Sequence, residues 1–269
     1  MTQLDSAFVG SVPTYYDQGL GPMFFEPYAQ DLARRARVAG GASVLEVSAG
    51  TGIATRHLLK ALPADARVTV TDLNPDMLVI AQPRIANDAR VQYRTADATA
   101  LPFGESEFDL VFNQFGVMFP PDKVAIFREA KRVLKPSGRF LFNTWGSLAD
   151  NPIGLLAHEV ITSFFPEDPP HFYETPFGLS DAAVVERLAR EGGFEDFEAD
   201  VVDRTAVSAT AEAAARGLVF GSPVFNQIQQ RNGDPAAIMQ ALTERLTHEG
   251  GASPMRLPMR ALVFEARRH

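Results

Sequence analysis

Between positions 42 and 145, short apolar and β-branched runs alternate with helical stretches of about ten residues, and this rhythm constrains the fold more than any other feature. The runs at 43–47, 67–71, 91–95, 108–113 and 139–145 read as strands. Residues 53–61 read as a helix. A second helix runs to about Arg84, with Asn74 as its N-cap and Pro75 at its first position. Val124, Phe127, Ala130 and Leu134 stripe one face of a third, and Pro136, Ser137 and Gly138 mark the turn after it. Strands alternating with helices imply parallel βαβ units, with helices on both faces of the sheet. Ligands of such sheets bind beyond the carboxyl ends of the strands, where the strand order reverses.

The flanks are less regular. The first forty residues are rich in aromatics (Phe8, Tyr15, Tyr16, Phe24, Phe25, Tyr28), and Gly19, Gly21 and Pro22 break the stretch before a helix over 26–38. After Trp145 the sequence predicts a helix over 153–165 and a loop over 166–176. A helix capped by Ser180 then runs to about Arg190, followed by a strand over 194–202. Two or three helices lie between 210 and 248, and a last strand covers 259–266.

Composition narrows the function classes. Hydrophobic residues make up 46% of the 269 positions and charged residues 22%, the balance of a chain that can bury a core. The net charge of −8, with no basic run longer than a pair, argues against nucleic acid as a partner. With no cysteine there is no disulfide, no thiolate nucleophile and no cysteine metal site. No secretory signal is expected at the N-terminus and no apolar run is long enough to span a bilayer, so no membrane insertion and a cytoplasmic location are expected.

The chemistry is concentrated at the ends of the predicted strands. Glu46, Val47, Ser48, Ala49, Gly50, Thr51 and Gly52 form a strand end, a turn of small residues and a helix start. Such a turn lets a ligand approach the backbone, and the helix N-terminus favours an anion such as the methionyl carboxylate of S-adenosylmethionine (SAM). Asp72 ends the next strand, 20 positions after Gly52, where its two oxygens suit ribose hydroxyls. Both features also suit NAD, although Thr55 stands where the dinucleotide fingerprint has a third glycine or alanine. A third feature favours SAM: Asp97 suits an adenine amino group, and the Ala98 N–H a ring nitrogen. Asn113 and Gln114 follow the fourth strand.

With these motifs, residues 45–145 resemble the class I SAM-dependent methyltransferases, in particular the small-molecule branch of quinone-biosynthesis C-methyltransferases. The resemblance implies that Glu46 helps hold the methionyl amino group and that the turn 48–52 lies against the cofactor. It further implies that Asp72 binds the ribose and that Leu73 or Met77 covers the adenine. Asp97 and Ala98 would meet the adenine edge, with Asn113 and Gln114 beyond the fourth strand and the Tyr16 region folded over the cofactor. Ser48 stands where the family has its first turn glycine. The motif of exocyclic-amine methylation and the cysteines of arsenite methyltransferases are absent.

The implied fold is α/β and Rossmann-like: a mostly parallel seven-stranded sheet with helices on both faces, an antiparallel final strand and helical insertions after strands five and six. Residues 1–40 are expected to cap the cofactor, 41–150 to form the SAM-binding core, and 151–269 to complete the domain with helices over the acceptor. The implied reaction moves a methyl group from SAM, leaving S-adenosylhomocysteine, to a small apolar or aromatic acceptor by O- or C-methylation, with no metal expected. His171 and Tyr173 are the candidate bases. The alternatives are a SAM-binding regulatory protein without turnover and an NAD(P)-dependent oxidoreductase.

Overall fold

The computed structural model describes residue 8, residues 10–85 and residues 88–269. Seven strands form one sheet: β1 (Ser43–Glu46), β2 (Arg67–Asp72), β3 (Val91–Thr95), β4 (Phe108–Gln114), β5 (Leu134–Trp145), β6 (Asp196–Ser208) and β7 (Met255–Arg267). Their order is β3-β2-β1-β4-β5-β7-β6. The first five strands pair in parallel and β7 runs antiparallel to β5. The order reverses at β1, so the switch point lies beyond the ends of β1 and β4. The expected α/β sheet with its antiparallel last strand is therefore what the chain forms.

The helices are α1 (Val12–Tyr15), α2 (Glu26–Arg35), α3 (Ile53–Ala61), α4 (Pro75–Ile85), α5 (Lys123–Val133), α6 (Pro152–Ser163), α7 (Ala182–Glu191), α8 (Ala211–Phe220), α9 (Val224–Gln230) and α10 (Pro235–Gly250). Contacts divide the chain into two compact units. The sheet unit comprises Tyr28–Trp145, Leu179–Val202 and Ala261–His269. The helical unit comprises Met1–Pro27, Gly146–Gly178 and Asp203–Arg260.

The sheet unit is built on aromatic packing. Phe140 and Phe142, two apart on β5, share a face and stack at 4.6 Å. Phe127 of α5 meets both edge-on, and Phe264 of β7 stacks on Phe142. Tyr28 of α2 stands edge-on to Phe115 and Trp145, which stack on each other at 3.8 Å. In the helical unit, α8 packs against α10 and against the N-terminal helical turns.

Four local expectations are corrected. Gly19, Gly21 and Pro22 do not break the chain; a π-helix over Tyr16–Phe25 joins α1 to α2, with the Glu26 N–H donating to the Gly21 carbonyl. The wider π turn carries Pro22, which has no N–H to give. Gly19 serves close packing instead, since a Cβ there would lie 2.7 Å from the Gly217 Cα of α8. Asp181, not Ser180, caps α7 by accepting the Ala183 N–H at 2.8 Å. The strand predicted from position 139 begins at Leu134, because a register shift opposite Phe108 and Leu110 absorbs the turn. The strand predicted over 194–202 starts two residues later and continues to Ser208 at the sheet edge, with Val202 and Ala206 its buried residues.

Candidate functional site

The end of β1 is tied to both neighbouring strands. The Val47 N–H donates to the Phe112 carbonyl of β4, and the Asn113 side-chain amide donates back to the Val47 carbonyl at 2.8 Å. Thr71 of β2 donates its hydroxyl to the Glu46 carbonyl. The turn then curls on three left-handed residues: Ser48 (φ 55°), Gly50 (φ 57°) and Gly52 (φ 78°). The Ala49 N–H donates to the Thr71 carbonyl, and the Gly50 N–H donates to Asp72 at 2.8 Å. The N-terminus of α3 follows directly.

Two carboxylates flank this turn in contrasting surroundings. Asp72 is 7% exposed and its oxygens accept the N–H groups of Gly50 and Asn74, each at 2.8 Å. Burial raises its proton affinity, and the main-chain N–H groups of Asn74, Gly50 and Leu73 oppose the rise. Glu46 is 1% exposed and neither of its oxygens has a hydrogen-bond partner. Burial pushes its pKa up to about 8; the neighbouring Thr55 hydroxyl pulls the other way and the Asp72 charge adds to the rise.

The turn after β4 is equally constrained. Asn113 is fully buried and accepts the Gly116 N–H at 2.9 Å. Asn143 of β5 accepts the N–H of Phe115, which holds φ at 52°. A Cβ on Gly116 would fall 2.4 Å from the Asn113 amide nitrogen and 2.6 Å from the Ser48 Cβ, so glycine is required and the two turns touch.

The structure thus brings Glu46, Val47, Ser48, Ala49, Gly50, Gly52, Asp72 and Asn113 together. The end of β3 adjoins them, because the Ala96 N–H donates to the Asp72 carbonyl. Asp97 is exposed there and accepts both the N–H and the hydroxyl of Thr99, with Ala98 buried beside it. Leu73 is 54% exposed and Met77 is buried on α4. Gln114 is half-buried at the end of β4, in register with Asn143.

Three residues of interest belong to the helical unit. Tyr16 stacks on Phe25 at 4.8 Å. His171 is exposed, with Nδ1 3.2 Å from Glu174. Tyr173 is buried, donates its hydroxyl to the Leu218 carbonyl at 2.9 Å, and is pushed by burial well above the usual phenol range. Sequence reasoning missed Thr71 and Asn143. Asn143 carried a signal, being a lone amide directly after the apolar run Phe140, Leu141, Phe142, whereas Thr71 read as an ordinary strand residue.

Residues 44–138 match a family described as methyltransferase domain. An uncharacterized protein of Mycobacterium tuberculosis is 39% identical over 120 residues, 44% of this chain and 43% of that protein. The ubiquinone/menaquinone biosynthesis C-methyltransferase of Hahella chejuensis is 33% identical over 129 residues, 47% of this chain and 51% of the relative. The chain thus spans about half the length of the curated relatives it matches. A putative methyltransferase structure from Bacillus halodurans superposes with a TM-score of 0.59 at 19% identity, covering 89% of this chain and 98% of the other. The similarity to a methyltransferase domain is thus carried by residues 44–138.

Proposed function

We propose that this chain is a SAM-dependent methyltransferase acting on a small, apolar or aromatic acceptor by O- or C-methylation. The observation that carries the reading is Glu46, a sealed carboxylate without a partner at the mouth of a glycine turn. An isolated buried carboxylate is costly and is retained where a cation meets it. The residues present fit SAM. Glu46 would take the methionyl ammonium, and the turn 48–52 with the start of α3 its carboxylate. Asp72 would take the ribose hydroxyls, Leu73 and Met77 the adenine face, and Asp97 with Ala98 the adenine edge. Asn113 and Gln114 would border the reacting end, and Tyr16 would cover the cofactor.

SAM supplies an already activated methyl group, so the protein's task is alignment, exclusion of water and removal of a proton where the acceptor carries one. Aromatic side chains suited to an apolar acceptor are plentiful after Trp145, at Phe164, Phe165, Phe172, Tyr173, Phe177 and Phe220. Of the two candidate bases, His171 is better suited: one ring nitrogen meets Glu174, while the Tyr173 hydroxyl is already spent on Leu218. The similarity to a quinone C-methyltransferase supports carbon as the acceptor atom.

Calorimetry with SAM, S-adenosylhomocysteine and NAD tests the cofactor. Binding of the two adenosyl-sulfur ligands near micromolar, about −8 kcal/mol, with NAD silent is expected. Binding of NAD alone would overturn the reading. Methylation of a panel of phenols and quinols then tests the acceptor class, and turnover only on large polar acceptors would sink that part.

A further inference from the structure

Among the described residues, Ser48, Ser106, Phe115, Ser137 and Asn232 hold a positive φ without being glycine. Phe115 (φ 52°) is the bulky one of the five, and for such a side chain this conformation is an outlier. Strained backbone of this kind persists where the surroundings over-determine it, and it gathers at ligand sites.

The Phe115 ring stacks on Trp145 at 3.8 Å and meets Tyr28 edge-on at 5.5 Å. The Phe115 backbone is held by Asn143, whose Oδ1 accepts its N–H at 2.9 Å. Asn143 is fully buried on β5, in register with Gln114 on β4 and Val263 on β7. The other half of its side chain, the Nδ2 amino group, is buried without a partner. Such a donor is costly and native proteins keep few, so a leucine at 143 would spare the sheet a penalty. What the asparagine offers in return is its acceptor oxygen.

Beyond Phe115 the chain meets the glycine turn. The Gly116 N–H donates to Asn113 Oδ1 at 2.9 Å, and Asn113 Nδ2 donates to the Val47 carbonyl at 2.8 Å. A Cβ on Gly116 would lie 2.6 Å from the Ser48 Cβ and 2.8 Å from its Oγ, so the two turns are in contact. Ser48 is itself left-handed, at φ 55°. Two strained residues therefore lie in turns that lean on each other, and a Phe115 relaxed to negative φ would carry Gly116 away from Ser48.

We propose that Asn143 is a positioning residue for the cofactor site: by holding Phe115 left-handed it seats Gly116 against Ser48 and so fixes the turn 48–52 for its ligand. The inference rests on the reading of that turn as the methionyl subsite. Asn143 acts through the backbone of two turns, as a support behind the residues that meet the ligand.

The test compares wild type with Asn143→Leu, which has no acceptor, and Asn143→Asp, which keeps an oxygen in the same place. S-adenosylhomocysteine binding is measured by calorimetry, and amide hydrogen exchange is followed in the ligand-free proteins. Asn143→Leu is expected to bind about three- to tenfold more weakly, the worth of one hydrogen bond, and Asn143→Asp to recover most of that loss. Exchange should quicken in Asn143→Leu at Phe115, Gly116 and Gly50 while Val70 and Leu141 in the sheet keep their protection, the pattern of local opening. Wild-type affinity in Asn143→Leu, or a loss in Asn143→Asp as large as in the leucine variant, would overturn the proposal. So would faster exchange at Phe115 with Gly50 unchanged, since the effect would then stop short of the cofactor turn. If the leucine variant does not fold, Asn143→Ser, too short to reach the Phe115 N–H, takes its place with the same expected outcomes. If wild type binds neither SAM nor S-adenosylhomocysteine, the functional reading fails by itself, and exchange at Gly50 still decides whether Asn143 governs the turn.

Discussion

Asp72 has a structural job that the sequence did not suggest. Its place at a strand end pointed to a ribose, but its oxygens also hold the Gly50 and Asn74 N–H groups, closing the turn after β1. Asp72→Ala is therefore expected to lower fold stability by about 1–3 kcal/mol as well as weakening SAM binding. Urea denaturation of the ligand-free variant separates the two effects. Ser48 stands at φ 55° where the family that the chain resembles has glycine, with its Cβ against Gly116, a pairing that no spacing argument reveals because it joins two distant turns. Gly116→Ala should cost about 1–3 kcal/mol through the clash, and Ser48→Gly should recover part of the loss. Additive unfolding free energies would disprove the contact. Glu46 makes a pH prediction. Its folded-state value of about 8 lies above its ordinary 4.5, so the folded chain keeps a proton that the unfolded chain loses. Stability from this group is full below about pH 4.5 and falls as pH rises toward 8. Melting temperatures of Glu46→Gln should gain on wild type between pH 6 and pH 8 and hold that gain above.

At the scale of elements, α3 and β3 were legible to the residue, because an apolar stripe or a β-branched run there is bounded by clear turn chemistry. The elements misread were those fixed by contacts distant in sequence. The Tyr16–Phe25 segment has a composition that reads as broken, yet it is helical because Gly19 lies against Gly217 of α8. Gly19→Ala places a methyl 2.7 Å from a backbone atom, so a loss of about 1–3 kcal/mol is expected despite the better helix propensity of alanine. Hydrogen exchange should show faster opening of this segment, and unchanged protection would mean that the packing is not what holds it. The register shift at the start of β5 escaped prediction for a related reason, since a bulge depends on the partner strand.

At the scale of the molecule, the sheet was readable because each parallel strand needs a crossover, and the sequence spells out strand and crossover in turn. The candidate site was readable where its chemistry sits at strand ends, as with Glu46, Asp72 and Asn113. The division into two units was not, because the helical unit is gathered from three separated stretches. Among the described residues, no helix is long and apolar enough to cross a membrane, and no group of three or more His, Asp or Glu is placed to hold a metal. S-adenosylhomocysteine at a hundred times its dissociation constant should raise unfolding stability by about 2.7 kcal/mol, read as a shift in thermal midpoint. The locked turn after β1 also bears on kinetics. Its backbone is already fixed by Thr71, Asp72 and Phe112, so a ligand finds a finished template and no loop must be ordered on arrival. Related ligands should therefore associate at similar rates and differ mainly in how long they stay.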